Sequence, residues 1–300
     1  MLDFHRLKVL FELKRLGTLT AVAQSMCYTH SAISQQLAIC EKEVGVKLYE
    51  RVGRRVRLTE QGELLADYAG RILALADEAE SEVLASTDSV RGRLRITSFQ
   101  TALSSFLPTA LTEIGQRYPE LRVEIMQRDV ESAIEALRTG TVDLILGEEY
   151  EADMPLTDEA THRELLIEDP IYLITPTTGP WSHLEFDDLE GVPFAIDPAE
   201  LAMGKFTQQL GLRHGFRVNV EFETPDPFLH AHLVRTGHAV SLAPRLFLPL
   251  LEGLRIVEIP GKPTRTLFTA VRAGRERHPG IRAVRLALYR AAAAATEAFD

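Results

Sequence analysis

The sequence predicts an α/β chain in three successive parts: a small helical head closed by a hairpin, one long helix, and a two-lobed body. Three observations carry this. Capped amphipathic segments follow one another without a strand pattern up to about residue 45. Apolar residues then recur at helical spacing from Thr59 to about Asp88. From Gly92 onward, short strand patterns alternate with helical ones. With 300 residues, 45% of them hydrophobic, the chain has enough apolar mass for two or three packed units.

In the head, Asp3 can cap a helix over residues 3–16, whose apolar face is Phe4, Leu7, Leu10, Phe11 and Leu13 and whose stop is Gly17. The stretch "TLTAVAQSM" gives a short second helix burying Leu19, Val22, Ala23 and Met26. After a tight connection at Cys27 and Tyr28, Thr29 caps a third helix running to about Val44, with Ile33, Leu37, Cys40 and Val44 as its buried face and Gly45 as its stop. "KLYERV" and "RVRLT" form a hairpin around Gly53-Arg54. The long helix that follows carries Leu64, Leu65, Tyr68, Ile72, Leu75, Ala76, Ala79 and Val83 along one stripe, the pattern of a dimerisation helix.

In the body, "LRIT", a helix over 105–117, "LRVEIMQ", the helix "VESAIEALRTG" and "VDLILG" make a βαβαβ unit, which implies a mostly parallel sheet covered on both faces. A second set starts at "PIYLITP" and continues through "PFAI", a helix over about 199–214, "VNVEFET", a helix over 227–236, "AVSLAP" and "LRIVEI". The strand "RTLFTAV" and a helix from about Gly280 to Phe299 finish the chain. The expected domains are 1–58, a linker helix over 59–90, and a body over 91–300. Lobe I takes about 91–164 and 268–300, lobe II about 165–267, and the chain crosses between them near 163–169 and 262–267.

The net charge of −10 hides an asymmetry: Met1–Gly62 holds ten Lys/Arg against six Asp/Glu, or +4, which leaves −14 for the rest. A cationic head on an acidic body suits a small nucleic-acid-binding unit joined to a regulatory or catalytic one. No apolar run approaches the ~20 residues that span a bilayer, and the charged N-terminus has no signal-peptide pattern. The chain is expected to be soluble and cytoplasmic, with no membrane partner.

The third helix opens with "YTHSAISQQL", which sets compact hydrogen-bonding side chains opposite a narrow apolar face. That is what a recognition helix needs, since bulky groups would hold it away from the major groove. His30, Ser31, Ser34 and Gln35 are the expected base contacts. Thr29, with Arg51, Arg54, Arg55 and Arg57 on the hairpin, is expected on phosphates. Two capped helices followed by an arginine-rich hairpin thus predict a winged helix-turn-helix.

The run "LTAVAQSMCYTHSAISQQLAICEKEVGVKLYERVGRRVRLTEQG" resembles the N-terminal signature of the LysR-type transcriptional regulators, with the "SAISQQ" core, the E-x-E-x-G-V-x-L-[FY]-x-R segment and the R-x-R-x-R-L-T-x-x-G wing in order. Further on, "YPELRVEI", "ALRTGTVDLILG", "DLEGVPFAI" and "LVRTGHAVSLAPR" resemble that family's effector domain, which is similar to type 2 periplasmic binding proteins. Gln35 stands where the family often has Arg, and Cys40 where it usually has Leu. The resemblance implies double-stranded promoter DNA as partner, homodimers joining into homotetramers, no cofactor, and a small-molecule effector between the lobes.

Ligands of open α/β sheets bind beyond the carboxyl ends of strands. That places Ser98, Gln100 and Thr101 after the first body strand, Glu149 after the third, and Pro198, Thr224 and Phe228 of lobe II around the pocket. Hydroxyls at a helix start opposite carboxylates suit an amino acid or another carboxylate as effector. Cys27 and Cys40 fall on packing positions, and His230, His232 and His238 lack the spacing of a metal site. Trp181 lies in a lobe II loop with no evident role. An enzyme is the chief rival reading, but no phosphate-binding glycine loop, nucleophile elbow or zinc motif occurs. A transport binding protein would need export and no basic head, and a purely architectural DNA binder would not need the body.

Overall fold

The computed structural model describes residues 2–52, 55–86, 90–150 and 160–297, without the side chains of residues 51, 52 and 55. The head comprises α1 (Phe4–Leu16), α2 (Leu19–Ser25) and α3 (His30–Val44), each started by a side-chain cap: Asp3, Thr18 and Thr29 accept the backbone N–H groups of Arg6, Ala21 and Ala32. Gly17 and Gly45 end α1 and α3 in the left-handed region, where a Cβ would be strained. The head's core unites Val9, Leu10 and Leu13 with Val22, Ile33, Leu37 and Cys40. Three expectations fail at its edge: Phe4 is 56% exposed, Val44 is 38% exposed, and Cys27 is exposed at a φ of +58°, where the connection turns too tightly to bury it.

The hairpin pairs β1 (Tyr49–Val52) with β2 (Arg55–Leu58), and α4 (Glu60–Ala85) follows at once. Thr59 caps α4 through Gly62 N–H, and its hydroxyl donates to the Lys47 carbonyl at 2.7 Å. A Cβ on Gly62 would sit 1.9 Å from the Leu48 carbonyl oxygen, so only glycine lets helix and wing touch there.

Lobe I contains β3 (Gly92–Ser98), α5 (Gln100–Ser104), α6 (Leu107–Arg117), β4 (Leu121–Gln127), α7 (Val130–Thr139) and β5 (Leu144–Tyr150). The helix expected over 105–117 is α6, begun two residues later, and the short α5 before it was not expected; Ser105, whose backbone leaves the helical region, separates the two. β6 (Thr161–Pro176) leads into lobe II, made of β7 (Pro193–Ile196), α8 (Ala202–Arg213), β8 (Asn219–Glu223), α9 (Pro227–Arg235), β9 (Ser241–Pro244) and β10 (Leu254–Glu258). β11 (Thr264–Arg272) returns, and α10 (Pro279–Glu297) closes lobe I.

The main sheet runs β10-β6-β11-β5-β3-β4, with β9 also on β6. β4, β3 and β5 pair in parallel, and β11, on which the chain returns from lobe II, is inserted antiparallel between β5 and β6. The mostly parallel sheet expected is therefore a mixed one. β6 spans both lobes in one 16-residue strand, pairing with β11 in its first half and with β9 and β10 in its second. α6 and α10 cover one face of the lobe I sheet and α7 the other. Lobe II has its larger core between its strands and α8, where Trp181 packs at the edge.

Head and linker lie against lobe I. Arg272, Arg275 and Arg277 reach Asp77, Glu80 and Glu82 of α4 at 2.9, 2.9 and 2.6 Å. A Cβ on Gly274 would come within 2.2 Å of the Ala74 carbonyl oxygen, so the two backbones meet directly.

Candidate nucleic-acid interface and ligand cleft

α3 places its groups as a groove-reading helix requires. Ile33, Leu37 and Cys40 are fully buried, while Thr29, His30, Ser31 and Gln35 are exposed and Ser34 is half-buried. Thr29 and Ser31 hydroxyls lie 3.0 Å apart, so the cap also orients one of the candidate base-reading groups. Of the wing arginines, Arg57 is exposed and pairs across the hairpin with Glu50 at 2.7 Å. Arg54 lies outside the described residues, as do the side chains of Arg51 and Arg55.

Two glutamates that the motif contains, but whose task it does not state, hold the wing and α1 to α3. Glu41 accepts Leu48 N–H at 2.9 Å and Tyr49 N–H at 3.4 Å, and pairs with Lys47. Glu43 takes the Arg6 guanidinium at 3.1 Å through both oxygens. Tyr28, exposed just before α3, stacks at a tilt on His5 with ring centres 5.3 Å apart.

Between the lobes lies a cavity of about 810 Å³. Of the residues expected to line it, Gln100, Thr101 and Glu149 do, and Ser98, Pro198, Thr224 and Phe228 do not. Ser98 is fully buried within the strand end, its hydroxyl turned to the Phe99 carbonyl. Phe228 packs edge-on against Phe247, and the Thr224 carbonyl is taken by the His230 ring at 2.8 Å. Pro198 turns its carbonyl toward Gly204, where a Cβ would approach within 2.2 Å. Their chain neighbours Asp197, Pro225 and Pro227 line the cavity instead.

The cavity floor is an ion cluster that the motifs did not announce. Arg265, 2% exposed, gives Nε and Nη2 to Asp169 at 2.9 and 2.7 Å, Nη1 to the Thr101 hydroxyl at 2.9 Å, and pairs with Glu148. Asp169 is wholly buried and also accepts Leu246 N–H. Tyr150 donates to Glu148 at 3.2 Å, and burial, then the Glu148 charge, push its phenol well above the usual value. Burial alone would depress the Arg265 pKa, but Asp169 and Glu148 reverse that and raise it, so the guanidinium stays charged. Asp197 is pushed up to about 7, first by burial and then by Glu148. Glu149 pairs with Arg163, whose guanidinium stacks 4.3 Å from the Phe268 ring centre. The cluster brings two lobes to one point: Asp169 on the crossing strand, Arg265 on the returning one, Thr101 in α5 and Glu148 near the end of β5 in lobe I.

His230 lines the cavity too, and burial lowers its pKa, keeping the imidazole neutral as a carbonyl donor. Among the described residues, no helix is long and apolar enough to cross a membrane.

Two family models match. The model for the bacterial regulatory helix-turn-helix protein of the lysR family covers residues 4–63, and that for the LysR substrate binding domain covers 87–293. The chain is 28% identical over 280 residues to a probable RuBisCO transcriptional regulator of Cyanophora paradoxa, covering 89% of this chain and 86% of that one. It is 24% identical to the HTH-type transcriptional activator CmpR of Synechocystis sp., covering 86% and 85%. Among solved structures, a full-length OxyR variant from Pseudomonas aeruginosa superposes with a TM-score of 0.65 at 19% identity over 96% and 95% of the two chains. Full-length CbnR complexed with its target DNA does so at 0.54 and 22% over 97% and 100%. A recognition helix on a two-lobed body, matched by family models over both parts, makes this chain a member of the LysR-type family of transcriptional regulators, with a DNA-binding head and an effector-binding domain.

Proposed function

We propose that the protein binds specific promoter DNA as a homodimer that assembles into a homotetramer, and that a small effector in the interlobe cavity alters that binding. The observation that carries the DNA reading is α3: Ile33, Leu37 and Cys40 are fully buried while His30, Ser31 and Gln35 face outward on a cationic head. Those three with Ser34 read bases, and Thr29, Arg51, Arg54, Arg55 and Arg57 meet phosphates. Pairing through α4 is supported by its exposed stripe of Leu64, Tyr68, Leu75 and Val83. The protein acts in the cytoplasm, where its DNA is, and has no catalytic role.

For the effector, the cavity walls carry both signs, with Arg128 and Glu148 from lobe I and Lys205 and Asp197 from lobe II. Gln100 and Thr101 add hydrogen-bonding groups, and Glu149 a further carboxylate. This suits an amino acid or another small carboxylate. The test is fluorescence anisotropy of the full-length protein against the duplex upstream of its own gene, with unrelated duplex as control. Tighter, salt-sensitive binding of the upstream duplex is expected, modulated by an amino acid or carboxylate. Equal affinity for both duplexes removes the specific-operator reading, and indifference to every such ligand removes the effector class.

A further inference from the structure

Helix α7 touches both working ends of the chain. Its first turns, with Val130, Glu131 and Ala133, form part of the cavity wall, and Lys205 of α8 approaches Glu131 across the gap at 4.0 Å. Its last turn is held by the DNA-binding head. Lys8 Nζ donates to the Thr139 carbonyl at 2.9 Å, and the Arg15 guanidinium is shared by Glu12 and Glu135 at 2.5 and 2.7 Å. Arg272 supports the same end, donating to the Leu137 carbonyl at 3.1 Å while its Nε binds Asp77 of α4.

These contacts match the chemistry of a helix terminus. Backbone N–H groups of the C-terminal turn take the Ala136 and Leu137 carbonyls, Arg272 adds a second bond to Leu137, and the Thr139 carbonyl is taken by Lys8. At the other end the Asp129 side chain accepts Ser132 N–H at 2.8 Å, and Gly140 ends the helix at a φ of +77°. Ten residues capped at both ends form a rod about 15 Å long. A rod of that length shifts as a unit. α1, which holds its far end, shares the core of α3 and is tied to it by Arg6 and Glu43. The other route from cavity to head, along β11, is hydrogen-bonded on both edges by β5 and β6, so it moves only with the whole sheet.

We propose that α7 is a strut by which the cleft sets the position of the DNA-binding head in its own subunit, through Lys8–Thr139 and Arg15–Glu135. A change in lobe closure moves Glu131 with Lys205, and the displacement reaches α1 and then α3. This rests on the reading of the cavity as the effector site. The test perturbs the cavity by substitution, so its outcome does not depend on which effector the cavity takes.

The experiment is a double-mutant cycle on the full-length protein, reading affinity for the duplex upstream of its own gene. Glu131→Lys sets a like charge against Lys205 and opens the cleft; Lys8→Met with Glu135→Gln releases the strut from the head. Non-specific charge effects on DNA binding add across the cycle and drop out of the difference. Glu131→Lys is expected to change duplex affinity about threefold or more in the parent, and to leave it unchanged on the released background. An equal change on both backgrounds, or none in the parent, overturns the strut. Hydrogen exchange gives the reciprocal readout without relying on the cleft variant: adding duplex is expected to alter exchange in residues 130–139 of the parent and not of the released variant. Unaltered exchange in the parent overturns the proposal. A parent protein that binds no duplex at low or high salt overturns both this proposal and the DNA-binding reading, whereas duplex binding with an unresponsive α7 overturns the strut alone.

Discussion

Arg265 is a guanidinium buried among carboxylates at the junction of two lobes, and it is worth more as a specifier than as a source of stability. Bringing three charges out of water costs most of what their attraction returns, yet removing one partner leaves the others uncompensated. Arg265→Met is therefore expected to lower stability by about 3–5 kcal/mol, seen as a large fall in thermal midpoint; an unchanged midpoint would show that Asp169 and Glu148 do not need it. Asp197 makes a pH-dependent contribution. Its folded-state pKa lies above the unfolded value, so the native state holds the extra proton between about pH 4 and 7. Stability is therefore greatest below that window and falls as pH rises through it, by no more than about 4 kcal/mol. Asp197→Asn is expected to be gained on by the parent at pH 5 and to outlast it at pH 8; parallel melting curves would refute this. Of this cluster the sequence pointed to Thr101, but not to Arg265, Asp169 or Asp197. Strand-end reasoning found the correct loops but chose Pro198 and Thr224 beside Asp197 and Pro225, because pattern locates a loop and only the backbone path decides which neighbour turns inward. Ser98 failed for a related reason, being the last residue of a strand buried on both faces.

At the scale of elements, α3 was readable nearly to the residue because cap, apolar period and stop all point the same way. Its buried face and outward polar groups follow from one helical period, and Val44 escapes only because it lies past the last turn packed on the core. Gln35→Ala is expected to relax discrimination at particular bases by about 1–3 kcal/mol while leaving affinity for random duplex nearly unchanged; uniform loss across sequences in a binding-selection assay would take Gln35 out of base reading. The wing motif was legible as a pattern and is now legible as chemistry: Glu41 fixes the wing to α3, and Gly62 lets α4 touch it. β6 was only half visible. A strand that leaves one sheet and enters another has two apolar patterns, and its first half, "THRELLIE", shows neither alternation nor a continuous run. The break between α5 and α6 also had no local signal, since "SSFLP" contains only the proline that α6 uses in its first turn.

For the whole molecule, the charge asymmetry and three-part plan were visible in composition and order, whereas the way head and body meet was not. Contacts such as Lys8 with Thr139 join residues far apart in the chain and leave no periodic trace. The exposed stripe on α4 sets an expectation for the assembly. Leu75, 64% exposed, lies at its middle, and Leu75→Glu is expected to reduce the mass measured by light scattering to that of a smaller species and to weaken duplex binding through lost half-site pairing. A variant that keeps the parent's mass would place the interface elsewhere.

The path of β6 and β11 also governs the order in which the chain can mature on a ribosome. The head's core is complete once Ala66 has emerged, so it can close early as a small helical unit. Lobe II lies between the two crossing strands, with its core spanning Tyr150 to Ile259. Lobe I, though begun first, must wait: β5 receives its second neighbour only when β11 pairs with it from Arg265 to Ala270, and its main core stays open until α10 brings Ile281, Val284 and Leu288. While residues 151–263 are being added, the nascent protein therefore displays a half-built sheet with an unpaired edge on β5, the kind of surface that holdase chaperones bind and that crowded polysomes aggregate.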